Sequence, residues 1–92
     1  MVKISPSILA GDFLHLKEQI KLMEKAEVDS IHFDIMDGIY VPNITFGFKF
    51  LSSIKKITSL PADVHLMIAH PQRYIKDFID AGANILTFHY DS

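Results

Sequence analysis

The stretch SIHFDIMDGIYVPN, residues 30–43, carries chemical groups at regular spacing. If it begins as a strand, His32, Asp34 and Met36 share one face, because side chains alternate with period two. The opposite face is then isoleucine and phenylalanine. Removing an ionised group from water is costly unless the group is paired or bound to a metal. The pattern therefore indicates a functional face on a strand that ends at a turn, Asp37-Gly38.

A second stretch, ADVHLMI at residues 62–68, repeats the arrangement. Here Asp63, His65 and Met67 alternate with apolar residues. Two strands thus offer an imidazole or a carboxylate on one face, and such groups are candidates for binding a metal ion.

Each candidate also has a purely structural interpretation. A single strand histidine is more often a hydrogen-bonded core residue than a ligand, but the spacing from His32 to Asp34 and the repeat at His65 favour ligation. Asp37 before glycine is typical of a turn former. The two methionines are also compatible with filling gaps in a core.

Four further polar residues are weaker indications of a functional site. Ser7 could satisfy backbone groups where a first strand ends. His15 falls on a solvated helix face, and His70 lies beside a helix start. His89 alternates with Ile85 and Thr87 and is a candidate either for contacting the ligating side chains or for packing alone.

The elements that must position these residues alternate along the chain. Strands are predicted over residues 2–9, 30–36, 62–68 and 84–90, and helices over 13–26, 48–57 and 71–81. Pro6 cannot donate to a strand ladder and places the end of the first strand near Ser7. Gly82 supplies the stop for the third helix. The order is βαβαβαβ.

This order predicts an α/β fold with parallel strands. In an open doubly wound sheet both strand faces meet helices, so polar strand faces favour the lumen of a (β/α)8 TIM barrel, with the site at the C-terminal strand ends. Such a barrel needs about 200 residues or more. With 92 residues, the chain is expected to be the first half of a single barrel domain over residues 1–92.

Composition excludes several classes of function. The formal charge is −2, with 9 basic and 11 acidic residues, so neither nucleic acid nor an acidic membrane is an expected partner. The absence of cysteine rules out disulfides, thiolate catalysis and cysteine-based zinc sites. Without a long apolar run or a leader-like N-terminus, the sequence predicts a soluble, cytoplasmic protein.

The segments SPSILAGDF, HFDIMDGIYVPN, TFG, HLMI and TFHYD occur in this order. In order and spacing the chain resembles the N-terminal two-fifths of ribulose-phosphate 3-epimerases. The resemblance implies a (β/α)8 barrel and the interconversion of ribulose 5-phosphate and xylulose 5-phosphate, a reaction of the pentose phosphate pathway. Allulose-6-phosphate 3-epimerases share the same motifs, so a phosphorylated hexulose is the alternative substrate.

Matched position by position, the resemblance implies that His32, Asp34 and His65 are metal ligands and that Asp34 is also one of two acid/base carboxylates. The cofactor would be a divalent metal, for which Zn, Fe, Mn and Co all suit two imidazoles and a carboxylate. That metal would act as a Lewis acid on an enediolate. The second carboxylate and the phosphate site lie on late strands in the family, so we expect residues 1–92 alone to be inactive.

The resemblance also implies substrate contacts. Ser7 and His65 would contact the phosphorylated ketose, and Met36 and Met67 would pad the reacting centre. We expect a homo-oligomer at full length.

Two rival interpretations remain. A barrel of the orotidine-phosphate decarboxylase kind uses a strand lysine between aspartates, and no lysine occurs among His32, Asp34 and Met36. The second rival is a non-catalytic half-barrel that binds a metal and assembles with a complementary chain.

Overall fold

A computed structural model describes residues 3–8 and 13–89. Three strands form one parallel sheet in the order β1-β2-β3. The strands are β1 Ile31–Met36, β2 Ala62–Met67 and β3 Ala83–Phe88. The helices are α1 Leu16–Lys25, α2 Phe48–Lys55 and α3 Ile75–Ala81, with 3₁₀ turns at Phe13–His15 and Pro71–Arg73. This α/β arrangement of parallel strands and intervening helices is the one expected for part of a (β/α) barrel.

The N-terminal segment differs from the strand that the sequence predicts there. Within residues 3–8 no strand forms, and the segment has one parallel bridge, between Ser7 and His32. The carbonyl of Pro6 accepts a hydrogen bond from the His32 amide at 2.8 Å, but proline has no N–H to return. The ladder is therefore interrupted where the proline sits. The other predicted ends of this strand, Val2 and Leu9, lie outside the described residues.

The strands β1 and β2 have the alternation that the sequence predicts. Every second residue is buried in both strands. The fully or nearly buried side chains lie on one face and include Phe33, Val64 and Leu66, which are at most 1% exposed. The amphipathic pattern of each strand therefore separates an apolar face from a polar one.

The helices pack on the apolar face. Ile20 from α1, Leu51 and Ile54 from α2, and Phe78 from α3 join the strand residues in one core. Gly82 ends α3 in the left-handed conformation at φ 115°, as predicted. A Cβ there would also lie 2.8 Å from the Lys55 side chain, so glycine is required both by backbone conformation and by space.

The strand β3 lies at the edge of the sheet and is more exposed than its neighbours. Ile85 and Phe88 are 52% and 49% exposed. Its register pairs His65 with Thr87, so the residue after the strand, His89, comes close to the polar face of β2. None of the helices in the described part of the chain is long and apolar enough to cross a membrane.

Candidate metal centre

The register of β1 and β2 brings four polar groups together. His32 pairs with Asp63, and Asp34 pairs with His65. In a parallel sheet, paired residues project from the same face, so the four side chains form a square on the polar side. All four are half-buried, with side chains 21–26% exposed. The sheet itself therefore assembles the group.

Asp34 lies between the two imidazoles. Its Oδ1 is 2.8 Å from His32 Nε2 and 3.4 Å from His65 Nδ1. One ligand atom from each of His32, Asp34 and His65 lies within 4.8 Å of the others. Ligands bound at about 2.0–2.2 Å from a metal lie roughly 3–4 Å apart. The donor set and its spacing therefore fit a divalent transition metal.

The far side of His32 is held by Asp63. Its Oδ2 lies 3.0 Å from His32 Nδ1. Burial of the imidazole lowers the pKa of His32, but the hydrogen bonds to Asp63 and Asp34 and the charges of both carboxylates raise it more. The pKa therefore lies above its ordinary value, which is the expected result for an imidazole between two carboxylates.

The far side of His65 is held by another imidazole. His65 Nε2 and His89 Nε2 are 2.8 Å apart, and the Tyr40 ring lies 5.2 Å from the His89 ring, centroid to centroid. Of the two interpretations of His89, contact with a candidate ligand is therefore confirmed. His15 and His70 are both exposed and are not among the clustered groups.

The remaining predicted site residues flank the cluster. Ser7 pairs with His32 across the bridge and so lies beside it. Met36 and Met67 pair with each other at the ends of their strands, two residues beyond Asp34 and His65. The structure thus places one polar and two apolar side chains around the candidate ligands.

The backbone of Asp34 is fixed by Thr45, in the loop after β1. The Thr45 hydroxyl donates to the Asp34 carbonyl at 2.8 Å and accepts from the Met36 amide at 2.9 Å. The Thr45 amide donates to the Met36 carbonyl at 3.2 Å. These three hydrogen bonds hold the backbone that carries the Asp34 carboxylate.

Asp37 forms the predicted turn and also links two loops. Its Oδ1 accepts from the amides of Ile39 and Tyr40, at 2.9 and 3.0 Å, and its Oδ2 accepts from the Ala69 amide at 2.9 Å. The bond from Ala69, followed by those from the turn amides, lowers the pKa of Asp37. The loops that follow β1 and β2 are thus tied to one carboxylate.

A cavity of about 310 Å³ is lined by Met36 but by none of the four clustered side chains. It is lined largely by aromatic and aliphatic side chains, among them Phe46, Phe48 and Phe78, and Asp37 is the one acidic residue among the described residues that line it. Because the Asp37 carboxylate is already bonded to three amides, the cavity has little capacity for chemistry. The polar cluster is the better candidate site.

The sequence places Asp63 on the polar strand face but does not assign it to the ligands or to the substrate contacts. The sequence feature that could have identified Asp63 is its position on the polar face, two residues before His65. Alternation alone does not reveal that it faces His32, because that contact depends on the register between strands.

The following matches to known proteins all belong to one family. The model of the ribulose-phosphate 3 epimerase family matches residues 3–92. A ribulose-phosphate 3-epimerase of Bacillus subtilis is 50% identical over 92 residues, which are 100% of this chain and 42% of that protein. A chloroplastic ribulose-5-phosphate-3-epimerase of Arabidopsis thaliana is 50% identical over 86 residues, covering 94% of this chain and 31% of that protein.

An archaeal relative is similar over the same region. The ribulose-phosphate 3-epimerase of Methanocaldococcus jannaschii is 44% identical over 92 residues, which cover 38% of its length. The chain thus spans between about a third and two-fifths of the curated relatives it matches.

Proposed function

The chain belongs to the ribulose-phosphate 3-epimerase family, and from that premise we propose that the intact protein is a metal-dependent isomerase. It would interconvert ribulose 5-phosphate and xylulose 5-phosphate by moving a proton at the carbon next to the keto group. The observation that carries the proposal is the cluster of two imidazoles and one carboxylate within 4.8 Å. The relatives' names support the choice of substrate.

The proposed ligands are His32, Asp34 and His65. A divalent metal bound there would supply a Lewis acid for the substrate's keto and hydroxyl oxygens. The half-buried position of the three side chains supports this role, since it limits competition from water while keeping the polar face open to a ligand.

Asp34 is the proposed base. Its carboxylate lies between the two imidazoles, and its backbone is held by Thr45. A fixed carboxylate can take the proton from one face of the reacting carbon. Inversion then requires an acid on the other face, which we assign to a late strand of the intact barrel.

The flanking residues would shape the substrate site. Ser7, beside His32, can donate or accept a hydrogen bond with a sugar hydroxyl, and His65 would contact the same substrate. Met36 and Met67 would cover the reacting carbon with apolar surface and exclude water from it. No lysine lies on the polar face of β1 or β2, which disfavours a decarboxylase of the lysine-dependent kind.

Metal binding and turnover of the intact protein test this proposal together. We expect stoichiometric divalent metal after chelator treatment and reconstitution, and xylulose 5-phosphate formation from ribulose 5-phosphate. The double variant His32→Ala/His65→Ala should lose both, whereas His15→Ala, a histidine outside the cluster, should retain both. Metal binding by the double variant at the wild-type level would contradict the ligand assignment.

Substrate preference is tested with the same preparation. Faster epimerisation of allulose 6-phosphate than of ribulose 5-phosphate would replace the proposed substrate with the hexulose phosphate. Stoichiometric metal with no turnover of either sugar would support the non-catalytic metal-binding alternative.

A further inference from the structure

Asp63 stands outside the proposed ligand set, yet it makes the closest contact to the far nitrogen of His32. The carboxylate Oδ2 is 3.0 Å from Nδ1, while Nε2 points to Asp34 Oδ1 at 2.8 Å. The two ring nitrogens therefore face opposite carboxylates. Only the Nε2 side adjoins the candidate metal centre, because His65 also approaches Asp34 from there.

A ligating imidazole must leave one nitrogen unprotonated. A carboxylate can only accept a hydrogen bond, so a neutral His32 that donates from Nδ1 to Asp63 has a free lone pair on Nε2. Metal-ligating histidines usually donate their other N–H to a carboxylate, carbonyl or water, which fixes the tautomer and the ring orientation.

The Asp63 carboxylate is itself held in place. The Ser5 hydroxyl donates to its Oδ2 at 3.4 Å, and the Ser30 hydroxyl donates to Ser5 Oγ at 2.8 Å. Ser30 is only 8% exposed. This chain of hydroxyls reaches Asp63 at Oδ2, the same oxygen that contacts His32 Nδ1.

We infer that Asp63 is a positioning residue, which fixes the His32 tautomer so that Nε2 is available to a divalent metal. This inference rests on the proposed metal centre. Because Asp63 contacts the Nδ1 side of His32 and is not among the clustered ligand atoms, it acts through His32 and does not exchange protons with the substrate.

Zn²⁺ affinity of the intact protein, measured by competition with a chelator, tests the inference. Asp63→Ala should weaken binding by about 10–100-fold, the usual effect of removing such a partner. Asp63→Asn keeps a carbonyl acceptor for the Nδ1 proton, so we expect it to recover most of the loss. Asp80→Asn, an exposed aspartate on α3, is the matched control and should bind as the wild type does.

A second readout separates positioning from a general structural role. With Zn²⁺ bound, the Nδ1 proton of His32 should give a slowly exchanging imidazole resonance, assigned by its absence in His32→Gln and lost in Asp63→Ala. Saturating metal should restore most of the epimerase activity of Asp63→Ala, which would not happen if Asp63 transferred protons.

The outcomes are distinguishable. If the wild type binds Zn²⁺ and Asp63→Ala binds it equally tightly, this inference is overturned while the metal centre stands. If the wild type binds no divalent metal, the proposed metal centre and the role of Asp63 both fail.

Discussion

The two faces of the same sheet differ in what covers them. On the apolar face, Phe33 and Leu66 are at most 1% exposed beneath the helices, whereas on the polar face Asp34 and His65 keep 21% and 26% of their side-chain surface. The residues alternate along single strands, so His65 and Leu66 are neighbours with opposite surroundings. Stability and the proposed chemistry thus reside in adjacent residues and should be separable by substitution.

The largest loss of activity without a loss of stability is expected from Asp34→Asn. The variant keeps the size of the side chain and a carbonyl oxygen for the metal, but it cannot accept a proton. General acid–base catalysis contributes typically 10²–10⁴-fold, so solvent-deuterium exchange into ribulose 5-phosphate should fall at least about a hundredfold. Thermal stability should change little. Near-normal exchange in the metal-loaded variant would show that the base is another residue.

Leu66→Ala should have the converse effect. Leu66 is fully buried on β2, and truncating such a residue costs about 2–5 kcal/mol of unfolding free energy. Urea denaturation of the intact protein measures the loss of unfolding free energy. The control is Ile79→Ala, which truncates a half-exposed residue. Exchange activity per folded molecule should stay close to that of the wild type. A hundredfold loss of that activity would show that the two faces are not independent.

A smaller effect is expected within the polar face from His89→Ala. His89 contacts His65 through the ring nitrogens at 2.8 Å, but it lies just beyond the edge strand β3 and, unlike Asp63, is not a carboxylate. We therefore expect Zn²⁺ affinity to fall by about 10-fold, at the low end for such partners and less than for Asp63→Ala. Affinity loss equal to or above that of Asp63→Ala would reverse this order.

The smallest effect, a change in thermal stability, is expected from Asp37→Asn in the turn directly after β1. Because the pKa of Asp37 is lowered in the folded protein, the ionised carboxylate stabilises the fold above the unfolded-state pKa. This contribution is lost as pH falls through the folded-state value, below about pH 4. Wild type should thus have the higher melting midpoint at neutral pH. The difference should vanish in acid, and a constant difference across pH would contradict the role of the charge.

Much of the site follows from the sequence because alternation alone assigns faces. His32, Asp34 and His65 are predicted on one face and lie together, and Gly82 is predicted to end α3 and does. Asp63 could not be assigned in the same way, because its contact with His32 requires the register between β1 and β2. That register joins residues 31 positions apart in the chain, a separation that no local pattern covers.

The N-terminal segment shows a second limit of local patterns. Residues 3–8 have strand-like composition, but only Ser7 forms a bridge. The sequence marks Pro6 as a break without indicating how much of the ladder is lost. Asp37 is similar, since its turn bonds to Ile39 and Tyr40 are local and predictable, while its bond from Ala69 joins residues from different loops.

Thr45 makes the position of Asp34 a local property of the chain. The hydroxyl reaches the Asp34 carbonyl across 11 residues and the Met36 amide across 9, whereas pairing His32 with Asp63 spans 31 residues. Closing a short loop costs less chain entropy than closing a long one, and contacts near in sequence favour fast folding. The backbone of the proposed base is therefore held by a contact that closes a shorter loop than the contacts that bring in its imidazole and carboxylate neighbours from β2.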